Sequence, residues 1–95
     1  STIRDIGVVV AEGAIADGDV DLARWATARA LTAAPEDELL LCCRIKAEHR
    51  AGNRSEVERL VLRLTRHARI LGIDLADETV LLIQEVIEGR PRARA

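Results

Sequence analysis

Two short stretches decide the reading: Ala16-Asp17-Gly18-Asp19 and Arg50-Ala51-Gly52-Asn53. A glycine just past the last turn of a helix closes it in the left-handed conformation. An Asp or Asn directly after it offers a side-chain oxygen to the free amides of the next helix. Each stretch is therefore a bend between two helices. The two glycines stand 34 residues apart, so the chain repeats a helix–turn–helix unit.

Working outward from these bends, the remaining Gly and Pro residues divide the chain into five helical segments, and nothing in it alternates like a strand. The first segment covers about residues 3–17. The second covers 20–33, with Asp19 at its start. Pro35 opens the third in its first turn, where a fixed φ suits a helix start and where Glu36, Asp37 and Glu38 favour the dipole. That helix runs to about residue 51. Asn53 starts the fourth, with Glu56 at capping-box spacing. In it Val57, Leu60, Val61, Leu64, Ala68 and Leu71 line one face, and Glu56, Arg59, Arg63 and Arg66 another. Gly72 ends it. Asp77 caps the fifth helix, in which Val80, Ile83 and Ile87 make one stripe and Leu82 and Val86 a second. Gly89 and Pro91 close it. Residues 1–89 are expected to form one domain, and 90–95 a frayed basic tail.

A 34-residue period is that of the tetratricopeptide repeat. The first unit is similar to that repeat in more than length. Gly18 stands at the inter-helix turn, and Ala23 is the small residue where paired helices touch. Ala30-Leu31 holds the later Ala-Leu position, and Pro35 the closing proline. The second unit keeps its apolar positions but lacks that proline, so its second helix runs on by about one turn. The fold class expected is all-α, a tetratricopeptide-like array of helical hairpins with about five helices.

The composition bounds the function. The chain has 95 residues, 48% hydrophobic and 32% charged, which suits a globular domain with one modest core. Trp25 is the one aromatic residue, so the core must be aliphatic. A net charge of -2 excludes a globally basic nucleic-acid binder. The charges are segregated: residues 1–38 balance to -5 and residues 39–69 to +5, while 70–89 hold five acids and no base. A positive middle between negative ends favours pairing between helices or subunits. Arg outnumbers Lys 13 to one, a bias common in GC-rich genomes. The opening Ser1-Thr2-Ile3-Arg4-Asp5 lacks the basic region of a signal peptide, and Val8-Val9-Val10 is far too short for a membrane span. The chain starts without Met, which points to a piece of a longer protein. Cys42 and Cys43 are adjacent on one helix, where their Cβ vectors diverge, and are expected to be free thiols in a reducing compartment.

Several segments in order resemble the bacterial transcriptional activator domain, a tetratricopeptide-like domain found mostly in actinobacterial regulators. They are Gly18-Asp19, Arg29-Ala30-Leu31, Ala34-Pro35-Glu36-Asp37-Glu38, Ala51-Gly52-Asn53, Glu58-Arg59-Leu60, and Leu71-Gly72-Ile73-Asp74 followed by Glu78-Thr79. The resemblance covers about residues 16–88. It departs at Leu75-Ala76-Asp77, where the family usually places a proline. It implies the cytoplasmic protein-interaction or self-association half of a transcriptional regulator, without the DNA-binding domain. The alternative it allows is a scaffold in a LysM-containing or membrane-tethered protein.

No catalytic, cofactor or metal site is expected. The acids at 36–38 read as a helix start. Cys42, Cys43 and His49 match no zinc spacing, and there is no phosphate loop or nucleophile motif. The candidate interaction face is Ile3, Ile6, Val10, Trp25, Arg59, Arg63 and Arg66, and the structural turns are Gly18, Pro35, Gly52 and Gly72. On the first helix Ile3, Ile6, Val10 and Ile15, with Gly7, Ala11 and Ala14, make a broad apolar surface that two and a half hairpins do not fully cover. That surface would take a protein partner or a second copy. Arg59, Arg63 and Arg66 read first as a solvated, partly ion-paired helix face, second as a site for an acidic partner surface. Direct nucleic-acid contact is not expected of them. Trp25 is expected in the core or partly buried, with a half-exposed interface anchor as the alternative.

Overall fold

A computed structural model of the chain describes residues 1–89. Five helices follow one another: α1 (Thr2–Ala16), α2 (Val20–Ala33), α3 (Glu38–Arg50), α4 (Arg54–Leu71) and α5 (Asp77–Glu88). There is no strand among the described residues. The expected tail at 90–95 lies outside them.

The two bends repeat in every backbone bond. Gly18 and Gly52 take φ of 76° and 78°. The Asp19 N–H donates to the Ala14 carbonyl at 2.8 Å, and the Asn53 N–H donates to the Glu48 carbonyl at 2.9 Å. Every other bond of the turn recurs at the same offset: Asp17 to Gly13 and Ala51 to Ala47, Gly18 to Ile15 and Gly52 to His49. Only a residue free to adopt positive φ closes a helix this way without strain. The chain is thus a tetratricopeptide-like array: hairpin α1–α2, hairpin α3–α4, then α5 as the first helix of a third unit. Helix α3 packs on both α1 and α2, and α5 on both α3 and α4, while α4 packs on neither α1 nor α2.

This stacking explains why α3 is the most buried element. Towards the first hairpin it presents three layers. Leu40 groups with Val8 and Ala30, Cys43 with Ala11 and Ala26, and Ala47 with Ala14 and Ala23. On its other sides Leu41, Cys42 and Ile45 join Val57, Leu60 and Leu64 of α4 and Leu82 and Val86 of α5. Each of these large side chains contributes about 2 kcal/mol when fully buried. The two cysteines are free and both buried, because α3 has neighbours on opposite sides. Burial pushes the Cys43 thiol up to about 11.

The acidic run after Pro35 ties the array together rather than merely starting a helix. The Asp37 carboxylate caps α3, accepting from the Leu40 N–H at 3.0 Å, and also takes the Arg4 Nε of α1 at 2.7 Å. Glu36 pairs with Arg63 of α4 at 3.5 Å. Glu38 accepts from the Ala76 N–H at 2.9 Å and the Thr79 hydroxyl at 2.6 Å, so it caps α5 from another helix.

Four local expectations are corrected. Pro35 precedes α3 instead of entering it: it sits second in a β-turn closed by the Asp37 N–H on the Ala34 carbonyl, a position its fixed φ suits. The residue capping α5 is Ala76, not Asp77, because Glu38 supplies the acceptor. The Asn53–Glu56 capping box does not form: the Asn53 amide donates to the buried Glu48 at 2.5 Å, and Glu56 binds Arg59. Leu71 and Val80, assigned to apolar stripes, are exposed near the α4–α5 connection.

Candidate interaction surface

Helix α1 is apolar on two sides, and only one of them is covered. Gly7, Val8, Ala11 and Ala14 are buried against α2 and α3. Ile3, Ile6 and Val9 are 60%, 57% and 70% exposed. Ile15 and Val10 are half-buried. The expected broad apolar surface is therefore split, with its small residues inside, Ile3 and Ile6 in water, and Val10 and Ile15 between the two.

Trp25 takes the half-exposed alternative and not the favoured core or partly buried position: it is 59% exposed on α2. The cause is the way α1 and α2 meet. Ala23, Ala26 and Ala30 face Gly7, Ala11 and Ala14. A Cβ added at Gly7 would fall on the Cβ of Ala30. Helices this close leave no room for an indole between them. Trp25 lies instead at the mouth of an apolar cleft of about 170 Å³ that Ile3, Ile6, Gly7, Val10 and Arg29 also line. The Arg29 guanidinium sits 5.4 Å from the ring centroid, a cation–π contact one helical turn along. Sequence reading missed Arg29, although its spacing of four from Trp25 signals the contact. It also missed Val9.

The structure thus gathers Ile3, Ile6, Val10 and Trp25 into one surface. Arg59, Arg63 and Arg66 do not join it. They line a separate shallow depression on α4 with Glu36, Leu62, His67 and Ile70. Arg59 chelates Glu56. Arg63 donates to the Pro35 carbonyl and pairs with Glu36, so it fastens α4 to the α2–α3 turn. Hydrogen bonds from Arg59 hold the Glu56 carboxyl below the usual carboxylate range. The expected pairing of the acidic with the basic stretch is realised here at Arg63 and Glu36, whereas Glu48, the acid that Arg44 and Arg24 share, belongs to the basic stretch itself.

A third concavity runs between α1, α3 and α5, about 350 Å³ in volume and lined by Arg4, Asp37, Leu39, Cys42, Lys46 and Thr79 among others. Its residues come from three helices, and no local pattern in the sequence announces it. Its chemistry is quiet. Burial raises the Cys42 thiol, whose Sγ lies 3.3 Å from the Thr79 hydroxyl, so it stays protonated rather than becoming a nucleophile.

Among the described residues no group of three His, Cys, Asp or Glu side chains could hold a metal ion, and no helix is long and apolar enough to cross a membrane. No buried side-chain nitrogen or oxygen lacks a hydrogen-bond partner among them. What remains in search of a partner is apolar surface, in two places: Ile3, Ile6, Val9 and Trp25 at the α1 end of the array, and Leu62, Ile70, Leu71 and Ile73 on and just after α4. Comparison of the chain with family models, with curated proteins and with solved structures gives no match.

Proposed function

We propose that this domain is the protein-interaction module of a cytoplasmic bacterial transcriptional regulator, and that it works by docking another protein element on the outer face of α1. The observation that carries the reading is the exposure of Ile3, Ile6 and Val9 in a row, flanked by an exposed Trp25. Apolar side chains this exposed and this contiguous mark interaction sites on folded domains. An aromatic anchor with an adjacent Arg matches the composition of interface hot spots. The regulatory setting is supported by the sequence resemblance around Pro35-Glu36-Asp37-Glu38 and Leu71-Gly72-Ile73-Asp74.

The test uses the intact regulator and a reporter promoter. Ile6→Asp places a charge in the middle of the apolar row without touching the core. The reading expects promoter occupancy to persist while reporter output falls about tenfold, the loss of roughly 1.4 kcal/mol or more of docking energy. Unchanged output at unchanged protein level overturns it.

A further inference from the structure

The 34-residue register says what the uncovered face of α1 is. Moving each residue of that face forward by 34 gives the face with which α3 packs on the first hairpin. Ile6 corresponds to Leu40, Val9 to Cys43 and Gly13 to Ala47. Those three α3 residues are buried in the layers that join the hairpins. Ile6 and Val9 are more than half exposed. The bends that set this register match in φ and in every backbone hydrogen bond, so the correspondence holds in three dimensions and not only in the sequence.

We propose that the outer face of α1 is the seat of a further helical hairpin of the same repeat type, supplied from outside these 95 residues and stacked on α1 as α1–α2 stacks on α3. The proposal rests on the interaction reading above and names the occupant. Continuity with the existing interface defines that occupant's chemistry. It must be an antiparallel helix pair with a face of small residues like Val8, Ala11, Ala26 and Ala30. Two further positions sharpen it. Asp37, the cap of α3, and Arg44 are two of the charged residues that meet the first hairpin there, beside Glu48 and Arg50: Asp37 binds Arg4, and Arg44 donates to the Arg24 carbonyl at 3.5 Å. Their counterparts in α1 are Ile3 and Val10. The arriving hairpin therefore needs no charged side chain at those two contacts.

A second copy of this chain does not meet the requirement. Its two complete hairpins already use the matching face, the first against α3 and the second against α5. Only a hairpin with that face open can repeat the contact.

The experiment is thiol protection at position 9. Val9→Cys places a thiol in the register of Cys43, which is 1% exposed, whereas Val9 is 70% exposed. The variant is made in the 95-residue chain and in a tandem chain in which residues 1–34 are repeated ahead of it. At the junction Ser1→Pro, Thr2→Glu and Ile3→Asp reproduce the natural inter-hairpin turn. A disulfide reagent should react quickly with the short chain and about a hundredfold more slowly with the tandem chain, since a buried thiol reacts only through opening. Asp21→Cys, in the register of the exposed Ser55, should react quickly in both. As a second format, the 1–34 peptide added in trans to the short Val9→Cys chain should protect it saturably. Equal reactivity in both formats overturns the proposal. So does protection of the short chain alone that rises with concentration as its mass doubles, because a second copy then covers the face. If protection fails while Ile6→Asp still silences the regulator, the occupant is wrong and the interaction reading stands. If protection succeeds and the regulator is indifferent, the regulatory reading is the one that falls.

Discussion

The two hairpins share their bends and differ in almost everything between them. At matching positions the first has Gly7, Ala11, Ala14, Ala23, Ala26 and Ala30, and the second has Leu41, Ile45, Glu48, Val57, Leu60 and Leu64. All twelve are buried. The first pair is held by backbone proximity, with Cβ atoms and glycine in direct contact and little apolar volume enclosed. The second is held by branched side chains that fill the space between more widely separated helices and α5. One turn geometry therefore supports two packing solutions, and each fixes a different outer surface. Close approach in the first hairpin expels Trp25 to the surface. The wider second hairpin takes Leu41, Ile45, Val57, Leu60 and Leu64 inside and leaves arginines outside together with Leu62, Ile70 and Leu71.

Exchanging residues across the register is the most direct way to break that contrast. Leu41→Gly gives the second hairpin the residue of the first, and the effect should be the largest of any single change here. It removes a fully buried side chain and adds a glycine to a helix interior, for a loss of about 4 kcal/mol. Urea unfolding followed by circular dichroism measures it. The reciprocal Gly7→Leu should cost about 3 kcal/mol by overpacking, since even one added carbon collides with Ala30. A small loss at Gly7 would mean that α1 can slide outward cheaply and that proximity is not what holds the first pair.

The contrast continues at Ala14 and Glu48, where the second hairpin buries a carboxylate in the place of a methyl group. Burial alone would push the Glu48 carboxyl up, but hydrogen bonds from Asn53, Arg44 and Arg24 outweigh it and hold the group below its ordinary value. Those bonds link α3 to the following bend and to α2 of the preceding unit. Glu48→Gln keeps the shape and removes the charge that two arginines share, and should cost about 2 kcal/mol. Their partial exposure keeps that figure below the cost of breaking a fully buried pair. Asp37 is depressed in the same way: its burial acts upward and the Arg4 hydrogen bond, with help from the α3 amides, wins. For both groups the unfolded chain binds the proton more tightly. Their stabilisation is therefore complete above about pH 4.5 and is lost as pH falls through the depressed folded values. The urea midpoint should drop between pH 5 and pH 3, and Glu48→Gln should flatten that drop. An unchanged pH profile in Glu48→Gln would show that the network adds nothing to the folded state.

The bends were legible in the sequence because they are local. A glycine, a following Asp or Asn and a fixed period determine them without reference to anything distant. The α2 limits at 20–33 follow from the same signals, as does the one-turn excess of α4, 18 residues against 14. What could not be read was decided across the fold. The cap of α5 comes from Glu38, 38 residues away from Ala76. Asn53 looks like a capping residue, but its amide is drawn to a carboxylate buried by the neighbouring unit. Trp25 looks like core because it is large and sits between Leu22 and Ala26; only the closeness of two Ala-rich helices rules that out. The interaction face was half legible. Ile3, Ile6 and Val10 carry an apolar periodicity that α1 alone explains, and Arg59 and Arg63 read as a partly ion-paired face, but that Arg63 reaches Glu36 and the Pro35 carbonyl across the fold is not written in the stripe.

The smallest effect should separate cover from register. Ile6 and Leu40 occupy equivalent positions on equivalent helices, one 57% exposed and the other fully buried. Leu40→Ala belongs with the core losses, because Val8 and Ala30 close around the side chain it removes. Ile6→Ala should change unfolding free energy by less than about 0.5 kcal/mol, as for an exposed site with no special role in folding. The position is the same, and only the neighbour is missing. A loss at Ile6 approaching that at Leu40 would mean that α1 is already covered in solution, and its outer face would then be part of a core rather than a surface waiting for one.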